Sequence, residues 1–489
     1  MNLNGLIKNL QISKITGPTN IEISDIIYDS RKAKPGCIFV CLEGFESDGH
    51  KFINDAVNKG AKAIVVQKEV NIAGVTVVLV KNTRKTLAEM SANFFKHPAD
   101  EITTIGITGT KGKTTTSFMI KSVLEAAKNK VGLIGTLGVI VGDETIKLDN
   151  TTPESYEVQK YLRYMVESGC NYAVMEASSS GLEMNRVDGF TFNYGVFTNF
   201  SPDHVGGNEH KDLDEYLNCK SLLFKKCDIG FLNKDDEKFP DIIKNHTCKI
   251  KTFGFDKSAN YTADDVQLVS KPECIGVDFK AGGETSLNVH VSIPGKFNVY
   301  NALAAISVCD HIGIGSDYIK QGIAAAKVKG RVEPVHVSDE FSLFIDYAHN
   351  AFSMENILIT LREYKPNRLI TLFGAGGNRP KARRYEMGEI SGKLSDLSVV
   401  TTDNPRFEEP MEIIEDIITG LKRTNGKYTV IPDRKEAIKF CIKTAQPNDI
   451  IVLAGKGHED YQEIKGIKYH LDEREVIQNI LKSTAKLLN

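Results

Sequence analysis

Residues 102–115 read ITTIGITGTKGKTT, an apolar run of strand length that leads into a turn rich in Gly, Lys and Thr. The stretch 114–128 that follows has a helical composition. A strand, a glycine-rich turn and a helix in this order form a cradle in which backbone N–H groups bind phosphate oxygens. The segment therefore predicts a phosphate loop between a buried strand and a helix.

Each residue type in the turn has a chemical reason to be there. Gly109 and Gly112 allow the backbone to face phosphate oxygens, Lys113 pairs with β- and γ-phosphate charge, and the Thr114 hydroxyl ligates Mg²⁺. Only two residues separate the glycines, whereas the standard P-loop has four. We predict ATP binding by the whole turn, which comprises Gly109, Thr110, Lys111, Gly112, Lys113, Thr114 and Thr115.

Two further strands are expected to end at the same edge of a parallel sheet. Glu176 lies near the end of the run 172–177, and His204 follows the run 194–198. A carboxylate and an imidazole at this edge suit a metal ion beside the phosphate loop. We therefore predict Glu176 and His204 as metal ligands together with Thr114.

The composition sets limits on the class of protein. The chain has 489 residues, 61 Lys and Arg against 63 Asp and Glu, and nine scattered Cys without a CxxC pair. The net charge of −2 provides no excess of positive charge for binding nucleic acid, and no apolar run is long enough to span a bilayer. With no apolar leader at the N-terminus, we expect a cytoplasmic protein with reduced thiols.

The spacing of apolar runs predicts an α/β protein of three domains. Breaks at residues 97–100 and 330–334 give a small N-terminal α/β domain (1–100), a central parallel sheet with helices on both faces (101–329) and a C-terminal Rossmann-like domain (330–489). Residues 228–293 read as a smaller β-rich subregion. In the last block, four candidate strands run into the polar segments DYAHN, GAGGNR, TDNPR and AGKGHED, which should line one ligand crevice.

These motifs together resemble the Mur ligase family over the whole chain, and within it the ligases that add an amino acid to a UDP-N-acetylmuramoyl-dipeptide. The shortened loop 109–115 is similar to that family's own phosphate loop. Segment 216–220, YLNCK, is similar to the family segment whose lysine is carboxylated. The resemblance implies that Lys220 carries a carbamate formed with CO₂, and that it holds a second Mg²⁺ beside His204. Lys113, Lys220 and His204 are then the catalytic residues.

The resemblance also implies contacts with the UDP-muramoyl substrate and with ATP. The residues similar to the family's substrate contacts are Tyr28, Ser30, Phe45, Glu46, Ser47, Asn150, Thr151, Thr152, Ser178, Met184 and Arg186. Those similar to elements that close over ATP are Asn298, Asn301, Arg331 and Asp346.

The segment DNPR at 403–406 resembles the tetrapeptide that accompanies meso-diaminopimelate in this family, where Arg406 would bind a carboxylate bidentately. Diaminopimelate differs from lysine by a distal carboxylate, so a placed arginine discriminates between them. The residues expected to contact diaminopimelate are Arg379, Asp403, Asn404, Pro405, Arg406, Gly455 and Glu459.

The resulting hypothesis is an ATP-dependent, ADP-forming ligase of peptidoglycan synthesis that adds meso-diaminopimelate to UDP-N-acetylmuramoyl-L-alanyl-D-glutamate through an acyl phosphate. We expect it to be a monomer. The same ligase adding L-lysine and a folylpolyglutamate-synthetase-like ligase are close alternatives. A P-loop NTPase acting as a regulatory protein is the alternative from a different class.

Overall fold

The computed structural model describes residues 1–44, 47–202, 210–271 and 274–488, and it describes side chains as far as residue 483. The chain divides into two compact units, Met1–Tyr261 with Ala304–Gly315, and Thr262–Leu303 with Ser316–Asn489. In the described part of the chain, no helix is long and apolar enough to cross a membrane.

The helices are distributed along the whole chain and alternate with strands. They are α1 Leu3–Leu6, α2 Ile53–Asn58, α3 Thr83–Phe94, α4 Lys113–Ala126, α5 Ser155–Glu167, α6 Ser179–Glu183, α7 Leu213–Ser221, α8 Phe239–Ile242, α9 Phe297–Ile312, α10 Ser316–Ala325, α11 Ala351–Arg362, α12 Lys381–Leu394, α13 Pro410–Leu421, α14 Arg434–Thr444 and α15 Glu473–Leu488.

Most of the strands are short, and many are fully buried. They are β1 Ile12–Thr16, β2 Ile26–Ile27, β3 Ile38–Val40, β4 Ala63–Val66, β5 Thr76–Val80, β6 Thr103–Thr108, β7 Val131–Gly135, β8 Gly138–Val141, β9 Glu144–Ile146, β10 Tyr172–Glu176, β11 Phe192–Phe197, β12 Cys227–Asn233, β13 Lys249–Gly254, β14 Tyr261–Lys271, β15 Cys274–Gly283, β16 Leu287–Val291, β17 Glu333–Val335, β18 Ser342–Asp346, β19 Leu369–Phe373, β20 Leu397–Val400, β21 Tyr428–Val430, β22 Ile450–Ala454, β23 Tyr461–Ile464 and β24 Ile467–His470.

The first unit contains two sheets. The smaller has the order β1-β5-β4-β3-β2, in which β2 to β5 run parallel and β1 pairs antiparallel with β5. In the larger, β13-β12-β11-β6-β10-β7 are parallel, and β8 and β9 add antiparallel strands at one side. The phosphate-loop strand β6 is central, so both neighbours bring their carboxyl ends to the same edge.

Helix α5 packs closely against this sheet because β7 has a glycine where it crosses. A Cβ built on Gly132 would lie 2.3 Å from the Met165 sulfur, so a larger residue would require the Met165 side chain to move. Met165, Val158 and Leu162 belong to one buried apolar cluster with strand residues such as Ile134. This packing holds the strand ends that carry the site.

The second unit contains a sheet of order β17-β18-β22-β19-β20-β21, parallel except for β17. Strands β18, β19 and β22 are buried along their whole length and mainly apolar, as expected for strands covered on both faces. All four polar segments predicted at the crevice follow strands of this sheet: β18, β19, β20 and β22. The mixed α/β class expected from the sequence is confirmed.

Residues 228–293 are rich in strands, as the sequence predicted. The first two of these strands extend the central sheet, because β12 pairs in parallel with β11 and β13 pairs in parallel with β12.

Candidate active site

The phosphate loop joins β6 to α4 and depends on two glycines. Gly109 has φ +145° and Gly112, the residue that caps α4, has φ +83°. Side chains rarely adopt these values. A Cβ on Gly109 would also lie 2.0 Å from the Thr198 hydroxyl oxygen. The loop therefore requires glycine at position 109 for both conformation and space.

The end of the neighbouring strand β11 holds the loop in place. Thr198 donates its hydroxyl to the carbonyl of Lys111 at 2.7 Å. The Lys111 amide donates to Asn199 Oδ1 at 2.9 Å, and the Thr110 amide donates to the Asn199 carbonyl at 2.9 Å. The residues that follow β11 thus hold the loop through both side-chain and backbone hydrogen bonds.

Two predicted catalytic lysines converge on one carbonyl of this loop. Lys113 Nζ donates to the Gly109 oxygen at 2.8 Å and to the Thr110 oxygen at 3.2 Å. Lys220 Nζ donates to the same Gly109 oxygen at 3.0 Å and lies 4.1 Å from the centroid of the Tyr216 ring. The Lys220 side chain is almost completely buried on α7. The fold therefore brings position 220 to the phosphate loop, 111 residues away in sequence.

Glu176 is fully buried at the end of β10 and faces the first turn of α4. Its Oε2 accepts hydrogen bonds from the hydroxyls of Thr114 at 3.0 Å and Thr136 at 3.1 Å, and its Oε1 accepts from the Thr136 amide at 3.0 Å. A carboxylate and a hydroxyl are oxygen donors of the kind that Mg²⁺ prefers. The donor set at Glu176 and Thr114 fits that ion.

Several predicted residues cannot be placed. His204, Phe45 and Glu46 lie outside the described residues. Of the predicted metal ligands, Thr114, Glu176 and Lys220 are described, and all three lie at the phosphate loop.

The predicted muramoyl contacts of the central sheet form one group beside Glu176. Thr152 donates its hydroxyl to the Glu176 carbonyl at 2.8 Å and accepts from the Ser178 amide at 2.9 Å. Arg186 donates to the Thr152 carbonyl at 3.0 Å and lies 3.5 Å from the Met184 sulfur. Thr151 reaches the same group through the Thr136 hydroxyl at 3.2 Å, and Asn150 is exposed at its rim.

Glu154 belongs to this group, although the sequence analysis did not select it. Its carboxylate accepts from Arg186 Nε at 2.9 Å and from Arg84 Nη1 at 3.3 Å. It thereby links the central sheet to α3 of the N-terminal sheet. Its position just after the segment NTTP at 150–153 was the available signal.

The predicted UDP-muramoyl contacts of the N-terminal segment are less closely grouped. Burial and a hydrogen bond to Glu157 raise the pKa of Tyr28 above its usual range. Ser30 is buried, and its carbonyl accepts from Lys59 Nζ at 3.0 Å. Ser47 is exposed, with its carbonyl bound to the Gly44 amide at 2.8 Å.

In the second unit, the segments after β20 and β22 are joined by a buried lysine. Lys456 is fully buried and donates to Asn404 Oδ1 at 2.9 Å and to Glu459 Oε2 at 2.8 Å. Asn404 in turn donates to Glu459 at 2.9 Å. The sequence analysis selected Asn404 and Glu459 but missed Lys456, which lies within the same AGKGHED run.

Arg406 is held by the backbone of the segment after β19. It has φ +53°, donates through Nη1 to the Gly377 carbonyl at 2.7 Å and pairs with Glu463 at 3.3 Å. A Cβ built on Gly376 would lie 3.4 Å from Arg406 Nη1 and 4.0 Å from Arg379 Cγ, so the two arginines flank this glycine. A Cβ on Gly377 would clash at 1.9 Å with the Pro405 carbonyl. The GAGGNR and DNPR segments therefore lie side by side at one edge of the sheet.

Asp403 lies behind this edge. Its carboxylate is 4.0 Å from the buried Arg434 guanidinium, and a Cβ on Gly455 would lie 2.7 Å from its Oδ2. Gly455 has φ +109°, so glycine is favoured there on both counts.

The remaining ATP candidates also lie in the second unit. Asp346 accepts from the amides of Val332 at 2.7 Å and Ala348 at 2.8 Å, and burial raises its pKa. The Arg331 guanidinium lies 5.4 Å from the centroid of the Tyr347 ring. Asn301 donates to Asn298 at 2.8 Å at the start of α9. Asp346 ends β18, and its carbonyl accepts from the amide of Gly455, one of the predicted diaminopimelate contacts, at 3.0 Å.

Comparison with protein families gives three matches that follow one another along the chain. They carry the descriptions "Mur ligase family, catalytic domain" for residues 22–97, "Mur ligase middle domain" for 107–309 and "Mur ligase, glutamate ligase domain" for 330–457. The chain belongs to the Mur ligase family. The family resemblance expected from the motifs is confirmed.

Relatives of this Mur ligase match it over nearly its full length. A protein of Caldanaerobacter subterraneus named UDP-N-acetylmuramoyl-L-alanyl-D-glutamate--2,6-diaminopimelate ligase is 42% identical over 489 residues, covering 99% of this chain and 100% of the relative. A protein of Alkaliphilus oremlandii with the same name is 43% identical over 486 residues, covering 98% and 99%. A solved structure of a ligase of that name is 27% identical with a TM-score of 0.75, covering 99% of both chains.

A more distant structure shares the fold of this Mur ligase. The folylpolyglutamate synthase of Thermotoga maritima has a TM-score of 0.59 at 18% identity, covering 76% of this chain and 90% of that one.

Proposed function

We propose that this Mur ligase adds meso-2,6-diaminopimelate to UDP-N-acetylmuramoyl-L-alanyl-D-glutamate, with cleavage of ATP to ADP and phosphate. The convergence of Lys113, Thr114, Glu176 and Lys220 on one glycine-rich loop carries the ligase part of the proposal. The names of relatives above 40% identity, over almost the full chain, support the substrates.

The first half of the reaction activates an acid. The γ-carboxylate of the D-glutamyl residue attacks the γ-phosphorus of ATP, the bond to the β-phosphate oxygen breaks, and ADP leaves. Lys113 and the amides at the N-terminus of α4 stabilise the charge that develops on the transferred phosphoryl group. Mg²⁺ held by Thr114 and Glu176 would neutralise phosphate charge.

The second half forms the amide. An amine of diaminopimelate attacks the acyl carbon, phosphate leaves with its bridging oxygen, and the amine loses a proton. We assign Arg406 and Arg379 to the distal carboxylate because their side chains flank Gly376 at the edge of the C-terminal sheet. Glu459 carries a negative charge at the same edge and suits the distal ammonium, although Lys456 already contacts it.

Finer features are part of the proposal. Lys220 would be carbamylated and hold a second Mg²⁺, and the three segments 1–100, 101–329 and 330–489 would bind the UDP end, ATP and the amino acid. A buried position within 3.0 Å of the loop supports a role for Lys220 at the phosphates.

We propose a cytoplasmic monomer, and the nine free thiols, all among the described residues, support a reducing compartment. Light scattering would test the monomer.

The test measures phosphate release from ATP with the UDP-muramoyl-dipeptide, adding diaminopimelate or L-lysine in turn. We expect release that depends on both the dipeptide and diaminopimelate, and much slower release with lysine. Equal rates with the two amino acids would contradict the specificity, and release with neither would contradict the ligase assignment. Folate with glutamate serves as the control for a folylpolyglutamate-type activity.

A further inference from the structure

Three side chains with metal-ligand atoms meet beside the active site without taking part in the proposed reaction. His210 Nδ1 lies 3.6 Å from Glu183 Oε2 and 3.9 Å from Cys219 Sγ. All three ligand atoms lie within 4.8 Å of one another. They come from three places in the chain: the end of α6, the residue before the turn into α7, and the body of α7.

The burial of the group suits a site with one open side. His210 is 3% exposed and Cys219 is 6% exposed, so two of the donors are shielded from water. The Glu183 side chain is 39% exposed, which leaves an entry path on its side. The other ring nitrogen, His210 Nε2, lies 2.9 Å from the Ser179 hydroxyl. A hydrogen bond at this second nitrogen is what orients a metal-bound histidine.

The spacing is close to that of a tetrahedral centre. With metal–sulfur and metal–nitrogen bonds of about 2.3 and 2.0 Å, sulfur and nitrogen ligands lie about 3.5 Å apart, and nitrogen and oxygen ligands about 3.3 Å apart. The observed separations of 3.9 and 3.6 Å exceed these by a few tenths of an ångström. A small rotation of the side chains would bring the three ligand atoms to bonding distance of one ion.

The donor types differ from those at the phosphate loop. Glu176 and Thr114 offer only oxygen, which suits Mg²⁺, whereas the cluster combines sulfur, nitrogen and oxygen. This set selects a borderline or soft divalent cation. We propose that Glu183, His210 and Cys219 form a second metal site, distinct from the magnesium site, that takes a cation of the Zn²⁺ class with three protein ligands and one open position.

Binding at this site would join α6 to α7, and these helices adjoin Ser178 and carry Lys220. The cation would therefore stabilise the segment that positions Lys220, and loss of the site would not remove any group assigned to ATP or to either substrate.

Cobalt substitution tests the proposal directly. Co²⁺ is titrated into the full-length protein held in excess Mg²⁺, and the thiolate-to-cobalt charge-transfer absorption is recorded. We expect one equivalent of absorption in the unmodified protein and none in Cys219→Ala. Cys170→Ala is the matched control because Cys170 is also 6% exposed and lies outside the cluster, so it should keep the band. An undiminished band in Cys219→Ala, or no band in the unmodified protein, would overturn the proposal.

A second variant guards against misfolding of the buried substitution. Glu183→Gln changes a partly exposed side chain and keeps its shape, and it should weaken Co²⁺ binding by at least about tenfold, the loss expected even for an outer-shell group. Unchanged affinity in Glu183→Gln would exclude Glu183 as a ligand and overturn the three-ligand site. Zn²⁺ should also raise the melting temperature of the unmodified protein and leave that of Glu183→Gln nearly unchanged.

Discussion

The ammonium nitrogen of Lys220 lies 3.0 Å from the carbonyl oxygen of Gly109, so a buried side chain on α7 contacts the loop that begins 111 residues earlier. A cation at this position neutralises phosphate by itself, whereas a carbamate would bind it through a metal ion. The charge of Lys220 is therefore the property to test first.

Lys220→Ala should lose nearly all ligase activity, because the buried site then lacks both the cation and any carbamate. Short carboxylates added to the assay should restore part of the activity if the carbamate oxygens are what the reaction needs. Phosphate release is the measurement. Lys225→Ala, nearby on the chain and exposed, is the control. Full activity in unrescued Lys220→Ala would refute a role at the phosphates.

Glu176→Gln should raise the Mg²⁺ concentration needed for half-maximal activity, since an amide replaces the buried carboxylate but keeps hydrogen bonding to Thr114 and Thr136. The Mg²⁺ dependence of phosphate release measures this. Glu125→Gln, near the end of α4 where the partly exposed Glu125 pairs with Lys121, should leave the dependence unchanged. The same Mg²⁺ curve for both variants would exclude Glu176 from the metal site.

Arg406→Ala should lower kcat/KM for diaminopimelate by about a hundredfold or more while changing the slow reaction with lysine little, because a site built for a carboxylate loses its partner. Arg423→Ala is the control, since Arg423 is exposed and pairs with Glu389. An equal fall for diaminopimelate and lysine would show that Arg406 acts on the fold of the loop rather than on the distal carboxylate.

His458 makes stability depend on pH. Burial, helped by the positive charge of Arg331, lowers its pKa from 6.5 to about 4, so the folded protein keeps the ring neutral. The unfolded chain binds the proton first, and stability therefore falls as the pH drops from 6.5 towards 4. The loss should reach about 2 kcal/mol after allowance for partial exposure of the ring.

Urea unfolding at pH 7 and pH 5 measures this effect. His458→Gln should show a smaller loss of stability between the two pH values than the unmodified protein. His470→Gln, which changes an exposed ring paired with Glu475, should keep the full loss. An equally steep pH dependence in His458→Gln would contradict the assignment.

The Arg434–Glu473 pair should dominate the stability of the C-terminal sheet. Both side chains are fully buried at 2.8 Å, and Arg434 also donates to the Ala454 carbonyl at 3.0 Å. Arg434→Ala should lower the free energy of unfolding by about 3–5 kcal/mol because it leaves a carboxylate buried and unpaired. Denaturant unfolding measures the loss. Lys439→Ala, in an exposed pair with Glu436, should have little effect.

The sequence was sufficient where structure depends on neighbours along the chain. It predicted the loop between β6 and α4, and the polar segments after β18, β19, β20 and β22. Apolar runs, glycines at left-handed positions and helix starts act within a few residues, so a pattern can show them. The resemblance to the family's motifs supplied the proposed roles of the site residues.

Only the tertiary structure decided which distant groups share a site. Lys456 binding Asn404, Glu154 joining Arg84 to Arg186, and the cluster of Glu183, His210 and Cys219 all depend on pairings of helices and strands far apart in the chain. A local pattern does not show which distant partner such a residue contacts, because a charged or thiol side chain has the same composition signal whether it is solvated or buried against a partner. Sheet register and helix packing set the distances of a few ångströms that turn separate residues into a site.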